Sequence, residues 1–315
     1  MPFHVNLTAS KRPGECKAVG TGSVKHVINA SEAKAFGLDQ TDRIKAVIGK
    51  AVGKNPDEYW LKGPTPEGAA NGADPEYGDV YTRFGWDPVT ATLIVKNARL
   101  LEVTTKPVIA HHVEWINHTD HAASYSANMI IEKTDTCSST WSWTDKFSVG
   151  QKITYKVSVK AEAPVGEVGG ELGGETSFGF EHAWGEAKTK SHTVRVGVSD
   201  MVKSNVPKHS AETAYLFSTL GSAKFRITYE ATLSGWLAFQ HRDWYTASDG
   251  SARYRAHKVD MVLRNAGLPT SLTVHQDVTV GFYSDASVQL YPGRYNPNKK
   301  PGGAPGEKKS GVSGR

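Results

Sequence analysis

Lys152-Ile-Thr-Tyr-Lys-Val-Ser-Val-Lys-Ala-Glu-Ala163 and, after a Pro/Gly-rich interval, Leu172-Gly-Gly-Glu-Thr-Ser-Phe-Gly-Phe-Glu-His-Ala-Trp184 decide how this chain is read. Ile153, Tyr155, Val157, Val159, Ala161 and Ala163 fall on every second position, with Thr154, Lys156, Ser158, Lys160 and Glu162 between them. A period of two belongs to a β-strand, whose successive side chains point to opposite faces. The return segment repeats the period, with Leu172, Gly174, Thr176, Phe178, Phe180, His182 and Trp184 on one side and Glu175, Ser177 and Glu181 on the other. An amphipathic hairpin is expected within about 152–198. Pairing residue 163 with 172 sets Val159 by Thr176, Val157 by Phe178 and Tyr155 by Phe180, and places Lys160 opposite Glu175. A shift by two would oppose Glu162 and Glu175, two like charges, so the first register is preferred. Such a hairpin can cover a soluble core or line a membrane barrel.

Outward from the hairpin the same style continues. Thr92–Val95, Val108–Trp115, Tyr125–Glu132 and Thr140–Val149 precede it, and Thr213–Thr219, Ala223–Phe239, Ala256–Leu263 and Leu272–Val280 follow, all rich in β-branched and aromatic residues. Few helical signals are legible beyond residue 100. Before it, Ile44, Val47, Ile48 and Val52 are spaced as one helix face, with Asp39 as the N-cap candidate and Gly53 at the end. The expected division is a mixed lobe over residues 1–105, a β module over 106–291 and a disordered basic tail over 292–315.

Charge and motifs exclude several classes. Of the formal +5, Arg294, Lys299, Lys300, Lys308, Lys309 and Arg315 against Glu307 supply the whole excess, so the body is formally neutral and no nucleic-acid footprint is expected. No run reaches the roughly 18 apolar residues that a spanning helix needs. Neither a G-x-S-x-G elbow, an H-E-x-x-H helix nor a phosphate-binding P-loop occurs, so no catalytic residue is assigned and a non-enzyme is expected. Cys16 and Cys137 are too few for a disulfide framework or a zinc site, and whether they pair is open. His111, His112, Glu114, His118 and His121 cluster without a metal-ligand spacing and read as solvated histidines. No metal or cofactor is expected. Loop aromatics Tyr59, Trp60, Tyr77 and Tyr81 are the candidates for receptor or membrane binding, against the plain alternative of packing.

Trp141-Ser-Trp143 followed by Phe147-Ser-Val-Gly150, the strand ending at Ala163-Pro-Val165, the Thr176-Ser-Phe-Gly-Phe180 return, and Val206–Phe217 running to Leu233-Ser-Gly235 resemble the aerolysin-like β-pore-forming toxins, in the epsilon-toxin and mosquitocidal-toxin branch. The resemblance covers roughly residues 106–290. It implies a mainly β fold of elongated antiparallel sheets with an insertion hairpin. It further implies a protein that binds a membrane through a lipid or glycan receptor, forms a homo-oligomer and inserts one hairpin per subunit into a barrel. Tyr155, Val157, Val159, Ala161, Leu172, Phe178 and Phe180 would then face lipid, and Lys156, Ser158, Lys160, Glu175 and Glu181 the lumen. The resemblance implies a protein secreted, or stored and released, although Met1–Ser10 do not read as a secretory leader. The alternative is a non-lytic storage or carrier protein on the same scaffold, holding a hydrophobic small molecule between lobes.

Overall fold

The computed structural model describes residues 2–63, 73–74, 78–141, 152–161, 165–167, 174–184, 186–198, 201–243, 253–296 and 308–311. The chain begins with β1 (Phe3–Ala9), β2 (Lys17–Thr21), β3 (Ser23–Val27), α1 (Ala30–Ala35), α2 (Thr41–Val52), β4 (Glu58–Trp60), β5 (Ala73–Asp74), β6 (Gly78–Asp79) and α3 (Val80–Phe84). The middle comprises β7 (Thr90–Asn117), β8 (Ala123–Ala127), β9 (Ile130–Trp141), β10 (Lys152–Ala161), β11 (Val165–Glu167), β12 (Gly174–Ala183), β13 (Lys188–Gly197) and β14 (Val202–Val206). Then follow β15 (Ser210–Ser234), β16 (Trp236–Gln240), β17 (Tyr254–Lys258), α4 (Val259–Asn265), β18 (Ser271–Pro292) and β19 (Lys308–Gly311).

Three very long strands carry the architecture. β15 runs antiparallel between β7 and β18, and β7, with 28 residues, spans ~90 Å at strand rise. Segments expected as separate short strands are therefore single ones: Thr92–Val95 and Val108–Trp115 both belong to β7. The pairing of β15 with β7 slips between Leu216 and Phe217, Lys224 and Phe225, and Thr228 and Tyr229. Each slip resets the in/out alternation, so one twisted strand reads in sequence as several. Among the described residues the sheet order is β11-β13-β9-β18-β15-β7-β19, with β3 also pairing β7.

A four-stranded sheet, β12-β10-β1-β2, lies against this long sheet. Phe3, Val5 and Leu7 of β1 join Ile153, Tyr155, Val157 and Val159 of β10 and Phe225, Ile227 and Tyr229 of β15 in one apolar core. The boundary expected at residue 105 falls inside β7, and β1 pairs in parallel with β10, so residues from the first hundred share the core of the β module.

Three local expectations change. The helix expected behind Asp39 is α2, buried through Ile44 and Ile48 and closed by Gly53 at φ 90°, but its N-cap is Gln40 and Asp39 is exposed. Residues 259–265, expected within a strand, form α4: Val259, Val262, Leu263 and Ala266 are buried at helical spacing, and Arg264 bonds Asp260 at 2.7 Å on the outer face. β-branched Val259 and Val262 favour the strand reading locally, and burial of the three-four stripe overrides it. The tail expected to be disordered from Pro292 is held at its start, where Tyr295 stacks on His112 at 3.8 Å and Thr213 donates to the Gly293 carbonyl at 2.8 Å. Further on, Lys308–Gly311 pairs with Glu102–Thr105 of β7.

Candidate membrane-insertion hairpin

β10 and β12 pair antiparallel over ten residues each, from Lys152 opposite Ala183 to Ala161 opposite Gly174. This is the register expected from the sequence, with Tyr155 by Phe180, Val157 by Phe178, Val159 by Thr176 and Lys160 by Glu175. The two faces differ sharply. Ile153, Tyr155, Val157, Val159, Phe178 and Phe180 are buried, whereas Lys152, Lys156, Lys160, Glu175 and Glu181 are exposed. Thr154 donates to the Glu181 carboxylate at 3.1 Å along this outer face. Ser158, expected on the wet side, is covered in this state: it sits between Thr8 of β1 and Ser177 of β12 and is 8% exposed. Ala161 is half-buried against Val194 and Val196. Leu172 lies outside the described residues, as do Trp143 and Phe147.

Aromatic stacking knits the apolar face together and ties its base to the body. The Tyr155 ring stacks on Phe180 at 4.7 Å and on His182 at 4.9 Å. At the base of the hairpin Trp184 packs with Trp141 and Tyr229, both at 4.6 Å, and with Phe3 at 5.3 Å. Each large side chain so buried is worth about 1.5–3 kcal/mol relative to water. That value is kept if the side chain passes from the core into hydrocarbon, because lipid tails are as apolar as a core.

β13 departs from expectation in a useful way. Residues 188–197 follow the hairpin in sequence, yet pair with β9 in the long sheet rather than with β12. Among the described residues β12 is thus an edge strand of the four-stranded sheet. The other edge of β10 is taken by β1, in parallel, from Phe3 beside Ile153 to Ala9 beside Val159.

Under the hairpin lies a buried polar seam that sequence reasoning missed. Gln276 Oε1 accepts from Tyr155 Oη at 2.6 Å and Tyr229 Oη at 3.0 Å, and His182 Nε2 lies 3.2 Å from Ser139 Oγ. Farther along β9, Asp135 is fully buried, its Oδ1 accepting from the Tyr283 amide at 3.0 Å; burial pushes this carboxyl up to about 7. Alternating serine, threonine and polar residues in β9 were the signal, masked because polar positions at period two usually face water.

The expected receptor aromatics are differently placed. Trp60 and Tyr81 are buried, and the Tyr81 hydroxyl donates to the carbonyls of Trp60 at 2.7 Å and Trp236 at 3.1 Å, so both act in packing. Tyr59 is half-buried with its hydroxyl donated to Leu38, beside a cleft of about 500 Å³ lined by Ile28, Thr41, Lys45, Tyr59, Trp60 and Lys62. Tyr77 lies outside the described residues. Cys16 and Cys137 are free thiols. Among the described residues no group of three or more His, Cys, Asp or Glu side chains is disposed to hold a metal ion, and no helix is long and apolar enough to cross a membrane.

No family model matches the chain. U-megalopygitoxin(8)-Mo12 of Megalopyge opercularis is 29% identical over 287 residues, 91% of each chain. U-megalopygitoxin(8)-Mc8 of Megalopyge crispata is 28% identical over the same length and shares. Among solved structures, parasporin-2, a Bacillus thuringiensis toxin that recognizes cancer cells, superimposes with a TM-score of 0.63 at 19% identity, covering 87% of this chain and 99% of that one. Long antiparallel strands, an amphipathic hairpin lying on them and these likenesses agree: the chain has the aerolysin-like fold of the β-pore-forming toxins.

Proposed function

We propose that this protein is a pore-forming toxin that binds a target membrane, assembles into a homo-oligomer and inserts the hairpin of each subunit into a common β-barrel. The observation that carries this reading is the hairpin itself: two strands of ten residues in register, one face apolar and the other bearing Lys156, Lys160, Glu175 and Glu181. A barrel strand needs about 9–11 residues to cross the hydrocarbon, apolar outward and polar inward. In the barrel Tyr155, Val157, Val159, Ala161, Leu172, Phe178 and Phe180 face lipid, and Lys156, Ser158, Lys160, Glu175 and Glu181 line the lumen. The toxin names of the Megalopyge relatives support a toxin role, and a protein secreted, or stored and released, fits it.

Closure explains why assembly must come first. A lone hairpin in lipid leaves two edges of unpaired N–H and C=O groups, each costing several kcal/mol, roughly. In a ring the edge of β12 pairs with β10 of the next subunit. β10 becomes available for that pairing when β1 releases it, so the exchange of Phe3–Ala9 for a neighbouring hairpin is the step that couples assembly to insertion.

Membrane recognition is assigned to a lipid or glycan receptor, with Tyr59 at the cleft the best-placed of the aromatic candidates. The test of the whole reading is dye release from vesicles made of target-cell lipid extract, together with electrophoresis in detergent. Release accompanied by a detergent-resistant ring is expected. Intact vesicles and intact cells at micromolar protein would overturn it.

A further inference from the structure

His182 sits on β12 of the hairpin, 3% exposed, and its Nε2 side faces the protein body. Its Nδ1 lies 2.8 Å from the Ala183 carbonyl, a partner that accepts, so Nδ1 carries the hydrogen. Its Nε2 lies 3.4 Å from Gln276 Nε2 and 3.2 Å from Ser139 Oγ. The Gln276 amide cannot offer its oxygen there, because that oxygen already accepts from the hydroxyls of Tyr155 and Tyr229. The amide nitrogen therefore points at His182, and Nε2 must accept. These bonds define a neutral ring. They also join hairpin residues, Tyr155 and His182, to body residues on three other strands: Ser139 on β9, Tyr229 on β15 and Gln276 on β18.

We propose that His182 is an acid-sensitive latch: a second proton on its ring turns the acceptor facing Gln276 into a donor, breaks the seam and frees the hairpin from the body. The proposal rests on the reading above, in which the hairpin detaches. The switch therefore lies on the acid side of neutrality, where an imidazole takes up its second proton. Against Gln276 a buried donor then faces a donor and that bond is lost; Ser139 Oγ, the other neighbour of Nε2, is a neutral hydroxyl that can accept but cannot neutralise a charge on a ring only 3% exposed.

The groups around the ring do not rescue the charge. Tyr155 on β10 and Tyr229 on β15 are neutral phenols whose titration burial drives further from the acid range in the case of Tyr229, and Cys137 on β9 is a buried neutral thiol. Glu186 follows the hairpin, but one carboxylate oxygen accepts from the Ala183 amide at 3.3 Å, and Lys188 on β13 opposes it. Trp141 of β9 lies edge-on to the ring at 6.5 Å. Asp135 and His192 lie farther along the seam, and Asp135 is already protonated at acid pH, which favours the packed state. In an inserted barrel His182 falls at the base of the strand, one residue from its end, where the ring reaches the membrane interface.

The test reads the hairpin directly, without a membrane. Amide hydrogen exchange of residues 152–161 and 174–183 in the full chain is measured at pH 7.5 and pH 5.0, corrected for intrinsic rates, with β7 and β15 as the internal standard. Protection of the hairpin is expected to fall at least about tenfold at pH 5.0 while β7 and β15 hold. Gln276→Glu places a carboxyl oxygen where a protonated His182 can donate, and should keep the hairpin protected at pH 5.0. His182→Gln should remove the pH response, and Asp135→Asn should retain it. No pH response in the wild type, or an unchanged response in both His182→Gln and Gln276→Glu, would overturn the latch. Dye release run in parallel separates the two ideas: leakage without pH-dependent exchange removes the latch and keeps the pore, and pH-dependent exchange without leakage at any pH does the reverse.

Discussion

Lys160 and Glu175 stand directly opposite each other across the hairpin, both exposed on the face turned away from the core. Exposed cross-strand pairs contribute a few tenths of a kcal/mol. Glu175→Gln should therefore shift the urea unfolding free energy by less than about 0.5 kcal/mol. In the proposed pore the same change would remove one carboxylate per subunit and leave Lys156 and Lys160 in the lumen. Reversal potentials across a KCl gradient should then move toward anion selectivity. Unchanged reversal potentials would place Glu175 off the conducting path.

Gly221 tests how tightly the long sheet is packed. A Cβ at this position would lie 2.4 Å from the ring of Phe282, its cross-strand neighbour, which is fully buried. Gly221→Val should cost about 1–3 kcal/mol, as overpacked cores do. Combining it with Phe282→Leu should recover part of that loss. Additive losses in the double variant would show that the ring does not occupy the space above Gly221.

Asp135 gives the fold a pH dependence of defined sign. Its carboxyl is pushed up to about 7 by burial from an ordinary value of 3.8. Between those values the folded state holds a proton that the unfolded state has lost, so stability falls as the pH rises from about 4 to 7. Above that range the buried carboxylate is ionised and the loss is complete. Asp135→Asn keeps a neutral acceptor for the Tyr283 amide. Unfolding free energies of the variant and wild type should be similar at pH 5, and the variant should gain about 1 kcal/mol or more by pH 8. A gap that does not change with pH would contradict the assignment.

Much of this was legible in the chain, for a physical reason. The hairpin register could be read because Tyr155, Val157, Phe178 and Phe180 alternate with charges, and a slip by one would turn every side chain to the wrong face. The parallel pairing of β1 with β10 could not, since Phe3–Ala9 alternates as any half-buried strand does and nothing local names its partner. The continuity of β7 was hidden by bulges, and α4 by its valines. The seam of Ser139, His182, Tyr229 and Gln276 was invisible because its members come from strands far apart in sequence. The likeness to β-pore-forming toxins pointed to the hairpin, while the aromatics Trp60 and Tyr81 were open in sequence between a binding surface and packing, and lie in a buried cluster.

In the proposed mechanism, release of β10 from β1 is the step on which insertion turns. Asn6 and Lys156 are exposed neighbours in that parallel pairing, on strands spaced as a disulfide requires. Asn6→Cys with Lys156→Cys, in a Cys16→Ser background, locks the hairpin to the body when oxidised. Dye release from target-lipid vesicles should be abolished in the oxidised protein and restored to the level of the single variants by dithiothreitol. Equal release from the oxidised and reduced forms, with the bond verified by mass spectrometry, would mean that release does not require the hairpin to leave β1 and would contradict the account.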